Sequence, residues 1–119
     1  MTATGHRHAP VWFDIATPDA PRARRFYQEM FGWPVNVLDQ TYAFVGDEHG
    51  QPTGGIGQAG PDSPYTGIVA YFQVDDVDSA LARAERLGGS RVMKPTQTPI
   101  SRIAAFADPD GNLIGLLSR

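Results

Sequence analysis

The sequence predicts an α+β fold of two paired βαβββ modules, which form a cupped mixed sheet with the helices on the outside. Three observations support this prediction: two amphipathic helical segments, short apolar strand-like segments around them, and the same order of elements in both halves of the chain. The residues that begin the two helices, Asp19 and Asp76, stand 57 positions apart (76 − 19). Aspartate is a favoured N-cap because its carboxylate accepts a free backbone N–H.

The first module is predicted over about 10–57. Its helix follows Asp19, tolerates Pro21 in its opening turn and ends at Gly32. The apolar residues of that helix recur at i, i+3, i+4 and i+7, and they are Ala23, Phe26, Tyr27 and Met30. Four strands are predicted, at Val11–Ala16, roughly Pro34–Leu38, Tyr42–Val45 and Thr53–Gly57.

The second module is predicted over about 67–118, after a Gly- and Pro-rich linker at about 58–66. Its helix follows Asp76 and ends at Gly88-Gly89, with Val77, Ala80, Leu81 and Ala84 at the helical spacing. Its strands are predicted at Gly67–Val74, Arg91–Lys94, Arg102–Ala107 and Leu113–Leu117. Residues 1–9 are predicted to be a flexible tail, so residues 10–119 form one domain.

Composition excludes several classes of protein. The 119-residue chain has no cysteine and a net charge of −3, so we expect neither a thiolate metal site nor a nucleic-acid partner. The apolar runs are far shorter than a membrane-spanning helix needs, and the N-terminus lacks the apolar core of a secretory signal. These features predict a cytoplasmic protein without a membrane partner.

Several short motifs occur in the order seen in one protein family. Phe26-Tyr27 precedes Phe31-Gly32, and the second half carries Asp75-Asp76, Leu87-Gly88-Gly89 and Asp108-Pro109-Asp110-Gly111. Together they resemble the vicinal oxygen chelate superfamily, which includes glyoxalases, bleomycin-resistance proteins and extradiol dioxygenases. The resemblance covers residues 10–118. Because this fold serves many activities, the resemblance implies the fold more strongly than a function.

The resemblance also implies where metal ligands would stand. Metal-dependent members use His, Gln or Glu on the first and last strands of each module. The corresponding residues here are Trp12, Val69, Gly115 and either Gly54 or Gly55. None has a side chain that can bind a divalent ion. We therefore predict no metal and no other cofactor. The three histidines, His6, His8 and His49, lie in the predicted tail and in a hairpin turn, where a metal is not expected.

Strand alternation predicts which side chains face the cup. On the first strand Trp12 and Asp14 point inward, while Phe13 and Ile15 pack under the helix. In the second module Ala70, Phe72 and Val74 are expected in the core. We predict a small-molecule pocket in preference to the alternative, in which Trp12 and Tyr71 fill an unused cavity. The expected binding residues are Trp12, Asp14, Val69, Tyr71, Gln73, Arg102, Leu113 and Gly115, and Leu117 is expected to line the same cup.

Asp14 is the one candidate catalytic residue. A carboxylate that faces inward is costly to bury unless it is paired or hydrogen-bonded. It could pair with Arg102, act as an acid or base with a raised pKa, or lie in water at the rim.

Three functions remain open. The first is metal-free binding of an apolar or aromatic small molecule. The second is an enzyme of the same fold, using Asp14 or a displaced metal site, and the third is a scaffold or regulatory module without a ligand. A homodimer is expected, because related proteins pair or swap modules and exposed sheet edges need cover.

Overall fold

The computed structural model describes residues 9–119. His6, His8 and all of the predicted tail except Ala9 lie outside the described residues. The described chain contains eight strands and two helices: β1 (Pro10–Thr17), α1 (Ala20–Phe31), β2 (Val35–Val37), β3 (Tyr42–Gly46), β4 (Pro52–Gln58), β5 (Gly67–Gln73), α2 (Val77–Arg86), β6 (Ser90–Gln97), β7 (Arg102–Ala107) and β8 (Leu113–Ser118). Neither of these helices is long and apolar enough to cross a membrane.

The chain divides into two units by its contacts. The first-half unit is Trp12–Ile68, and the second-half unit is Val69–Arg119 together with the described residues up to Val11. Each unit has one helix and a mixed four-stranded sheet, so the predicted α+β fold of two βαβββ modules is confirmed. The strand β6 runs beyond the predicted Lys94, because register shifts against β7 let the pairing continue to Gln97.

In the first-half unit, β2, β3 and β4 pair antiparallel in that order, and β1 pairs with β4 in parallel. The helix α1 begins at Asp19, whose side chain accepts the N–H of Arg22, and ends at Gly32 in a left-handed conformation. The core of the first-half unit centres on Ile15, Ala20, Val45 and Ile56. Phe13 packs against this core, as predicted for the helix side of β1.

The four apolar residues that share the helical spacing in α1 are not equally buried. Ala23 and Tyr27 pack against the core, whereas Phe26 and Met30 are 59% and 63% exposed. The helix turns the fully buried Ala20 toward the sheet. Phe26 and Met30, one turn apart, therefore lie together on an outward face.

The second-half unit repeats this arrangement. Here β6, β7 and β8 pair antiparallel, and β5 pairs with β8 in parallel. Asp76 caps α2 by accepting the N–H of Ser79. Val77 and Leu81 of α2 pack against Ala104 and Leu116 of the sheet. Of the residues expected in the core, Val74 packs against this cluster, whereas Ala70 and Phe72 are half-buried.

Candidate functional site

Asp14 lies half-buried on β1 and is held by two tyrosines of the first-half unit. The hydroxyl of Tyr42 donates to Oδ1 at 3.0 Å, and the hydroxyl of Tyr65 donates to Oδ2 at 2.9 Å. Tyr42 belongs to β3, and Tyr65 follows β4 in the predicted linker. The sequence did not identify either tyrosine as a partner of Asp14, because they stand 28 and 51 residues from it along the chain.

The pKa of Asp14 is raised above its ordinary value. Burial is the largest cause, because removal of water disfavours the charged form. The hydrogen bonds from Tyr65 and Tyr42 act in the opposite direction and offset part of that rise. Asp14 is therefore a fixed carboxyl group whose charge is costly in the free protein.

A chain of aromatic rings in the same unit leads away from Tyr42, whose hydroxyl donates to this carboxylate. Trp12 meets Phe44 edge to face, with ring centroids 5.7 Å apart, and Phe44 meets Tyr42 in the same way at 5.7 Å. We call Trp12, Tyr42 and Phe44 the aromatic wall. All three side chains are half-buried. Sequence alternation on β3 could have suggested Tyr42 and Phe44, since Ala43 and Val45 between and after them are buried in the sheet.

Glycines of β4 make room for this arrangement. A Cβ at Gly55 would lie 1.7 Å from the hydroxyl oxygen of Tyr42, and one at Gly57 would lie 3.1 Å from the same ring. Gly54 serves the opposite face, where a Cβ would lie 2.6 Å from the ring of Phe13. Glycine at position 55 thus lets Tyr42 lie flat along β4 and reach Asp14.

The second-half unit contains a similar pair. Tyr71 stands opposite Gly115 in the β5–β8 pairing, just as Asp14 stands opposite Gly55 in the β1–β4 pairing. A Cβ at Gly115 would lie 2.5 Å from the Tyr71 ring, which is only 3% exposed. The space beside Gly115 is therefore filled by Tyr71 and is not an open part of a pocket.

The other predicted binding residues have varied surroundings. Val69 and Leu117 are 1% and 6% exposed, whereas Leu113 is half-buried. Gln73 is exposed, and Arg119 donates to its side-chain oxygen at 3.3 Å. In the first-half unit, Trp12 and Asp14 stand two residues apart on β1. In the second-half unit, Tyr71 and Gly115 are partners in the β5–β8 pairing.

The pairing of Arg102 with Asp14, one of the options that the sequence left open, is wrong. Arg102 on β7 donates two hydrogen bonds to Asp78, from Nε at 2.7 Å and from Nη2 at 3.0 Å. This pairing raises the pKa of Arg102 and lowers that of Asp78. Asp78 stands in the first turn of α2, so the pair joins that helix to β7.

The residues at the family's metal positions do not fit a divalent metal. The equivalent pairings identify Gly55, not Gly54, as the counterpart of Gly115. In both places a tyrosine ring lies where a ligand side chain would begin. Among residues 9–119, no group of three His, Asp or Glu side chains could hold a metal ion. His49 is exposed and stands 3.8 Å from its neighbour Glu48.

A separate groove, which the sequence did not predict, lies between α2 and the sheet of the second-half unit. Its volume is about 840 Å³. Apolar residues dominate its lining, among them Phe72, Leu87, Phe106 and Ile114. It lies on the helix side of this sheet, where Val74 and Leu116 pack beneath α2.

The two βαβββ units are typical of glyoxalase-like proteins, and this fold defines the class of protein to which the chain belongs. Residues 9–116 match the sequence profile of the Glyoxalase/Bleomycin resistance protein/Dioxygenase superfamily. The chain belongs to this superfamily, which confirms the resemblance deduced from its motifs.

Relatives and solved structures agree with this assignment. Anthracycline biosynthesis protein DnrV of Streptomyces peucetius is 32% identical over 123 residues, which cover 87% of this chain and 44% of DnrV. The chain thus spans less than half the length of this relative. A superfamily member from Vibrio splendidus is 15% identical with a TM-score of 0.63, over 94% of this chain and 99% of that one. The Mn(II)-bound glyoxalase of Novosphingobium aromaticivorans is 24% identical with a TM-score of 0.57, over 94% of this chain and 38% of that one. At these identities the two structures show the fold alone.

Proposed function

We propose that this chain binds a small apolar or aromatic molecule against the aromatic wall, without a metal, and that Asp14 anchors a polar group of that molecule. The observation that carries the proposal is the Asp14 carboxylate held by Tyr42 and Tyr65, with Tyr42 itself part of the aromatic wall. Apolar surface with a few fixed polar groups is the usual composition of a small-molecule site.

The similarity to DnrV supports one ligand class. DnrV is named for anthracycline biosynthesis, so polycyclic aromatic compounds are the first molecules to test. Aromatic rings can stack on the rings of Trp12 and Phe44, and such contacts contribute about 0.5–1.5 kcal/mol beyond the burial of their area.

The test is a ligand titration followed by the fluorescence of Trp12. Replacement Trp33→Phe removes the second tryptophan signal and keeps an aromatic ring in the cluster with Phe13, Tyr27 and Phe31. An anthracycline and a panel of aromatic and polyketide-like compounds are titrated into this variant. We expect saturable quenching or enhancement by at least one of them, in protein treated with a chelator.

Two further variants locate the ligand. Phe44→Ala removes one ring of the aromatic wall and should weaken binding about tenfold. Leu87→Ser changes the groove of the second-half unit at an exposed residue and should leave binding unchanged. If Leu87→Ser weakens ligand binding and Phe44→Ala does not, the ligand binds in the groove. If no compound of the panel changes the Trp12 fluorescence, a scaffold or regulatory module is favoured.

A second candidate function is catalysis by Asp14 as a general base. The raised pKa of this carboxyl group favours the candidate, because a base works best with a pKa near the working pH. Asp14→Asn would then abolish conversion of a bound compound, measured by mass spectrometry of the recovered ligand. A binding site without chemistry would return the ligand unchanged from both proteins.

A further inference from the structure

Asp14 has no cationic partner among residues 9–119. The ion pairs of these residues join other groups: Arg22 with Asp19, His49 with Glu48, Arg91 with Glu85, and Arg102 with Asp78. Within the described part of the chain, only hydroxyl groups donate to the Asp14 carboxylate, and no cation there contributes to its pKa. A half-buried carboxylate without a positive partner is energetically costly, so a bound cation would relieve that cost.

The Asp14 carboxylate can accept further hydrogen bonds in addition to those from the two tyrosine hydroxyls. A carboxylate has about four lone-pair positions, and Tyr42 and Tyr65 each use one, on different oxygens. The tyrosines therefore fix the orientation of Asp14 without saturating it.

The rings of the aromatic wall also favour a cationic group. Aromatic faces attract cations, with Trp the strongest of the three residue types, and Trp12 stands two positions from Asp14 on β1. The edge-to-face contacts of Phe44 with Trp12 and Tyr42 hold these rings at different angles. A carboxylate with several aromatic neighbours is chemically complementary to an ammonium group on an apolar body.

Building on the proposed function, we propose that the bound molecule is an amine with an apolar or aromatic body, whose ammonium group pairs with Asp14 beside Trp12 and Phe44. An acid would meet the negative Asp14 and is rejected. A neutral alcohol can donate one hydrogen bond to Asp14 but brings no charge, so it binds more weakly than the amine.

Three probes of one shape test this proposal: 1-naphthalenemethylamine, 1-naphthalenemethanol and 1-naphthoic acid. Each is titrated into the Trp33→Phe protein at neutral pH, with calorimetry as a second measurement. We expect the amine to bind about tenfold or more tightly than the alcohol, and the acid not to bind.

Variants then assign the preference to Asp14. Asp14→Asn keeps the shape and should remove the preference for the amine while binding of the alcohol persists, which also shows that the variant folds. Tyr42→Phe and Tyr65→Phe keep both rings. Each should reduce the preference for the amine less than Asp14→Asn does. Asp62→Asn removes one charge from an exposed turn of the same unit and should change nothing.

The outcomes separate the two proposals. Equal binding of amine and alcohol would overturn the amine assignment and leave the aromatic site standing. An amine preference that survives in Asp14→Asn would also overturn it. Failure of all three probes and of the larger aromatic panel would overturn both the amine assignment and the proposed function.

Discussion

At the scale of single residues, Asp14 derives its properties from groups that are distant in sequence. Burial raises its pKa, while the hydroxyls of Tyr65 and Tyr42 counter part of that effect. The sequence could show that Asp14 lies on the same strand face as Trp12, because alternation along a strand is local. It could not show that Tyr42 and Tyr65 bind Asp14, because they come from β3 and from the segment after β4.

This raised pKa predicts a pH dependence of stability. The folded chain holds the Asp14 proton more tightly than the unfolded chain does. The contribution of Asp14 to the free energy of unfolding is therefore greatest at low pH. It falls as the pH rises from the ordinary aspartate value through the raised folded value, and is constant above that.

Urea unfolding of the natural protein and of Asp14→Asn, between about pH 3.5 and pH 8, measures this contribution. The free energy of unfolding of the natural protein minus that of the variant should decrease with pH. Asp39, Asp78 and Asp108, whose pKa values are lowered, act in the opposite direction but equally in both proteins. A difference that rises with pH, or stays flat, would contradict the prediction.

At the scale of the elements, the glycines of β4 and β8 reflect the close approach of tyrosine rings. In the sequence, Gly115 stands at a position where metal-dependent relatives have a metal ligand. The sequence does not decide whether Gly54 or Gly55 is the corresponding residue of the first module. The strand pairing resolves that choice, since Gly55 faces Asp14 as Gly115 faces Tyr71. Which ring fills such a space depends on side-chain direction across strands, which periodicity in one strand does not determine.

Gly115→Ala tests this explanation of β8. The added Cβ would lie 2.5 Å from the ring of Tyr71, which is buried and has little freedom to move. We expect the free energy of unfolding to fall by about 1–3 kcal/mol, as for other overpacked cores. Thermal and urea unfolding measure the change.

The matched control is Gly60→Ala. No atom lies within 4 Å of the added Cβ there, so we expect a change within about 0.5 kcal/mol. Combining Gly115→Ala with Tyr71→Leu should cost less than the sum of the two single changes, because the smaller side chain vacates the crowded space. Strict additivity would show that the ring does not explain the glycine.

At the scale of the whole molecule, the repeat was the most informative feature of the sequence. The caps at Asp19 and Asp76 and the strand order are local signals, and both units follow them with the same pairing pattern. Helical periodicity could not show that Phe26 and Met30 are exposed. It indicates which residues share a helix face, but not how much of that face the sheet covers. The cytoplasmic location stays a prediction.

The outward residues of α1 bear on the homodimer that the family resemblance predicts. Phe26, Met30 and Phe31 are 59%, 63% and 57% exposed on one helix of the first-half unit. An apolar group of this kind favours association, since contact between two chains would remove it from water. We therefore expect twice the chain mass in solution, measured by light scattering coupled to size-exclusion chromatography.

The double variant Phe26→Ser, Met30→Ser should shift the protein toward the monomer, and the shift should increase on dilution. Val37→Ser, Leu38→Ser is the matched control: it removes two apolar side chains of similar exposure, 53% and 52%, from the same unit but outside α1. We expect this control to remain dimeric. A natural protein that is monomeric at all concentrations would refute the homodimer, and a dimer that persists in the α1 variant but not in the control would place the interface at Val37 and Leu38.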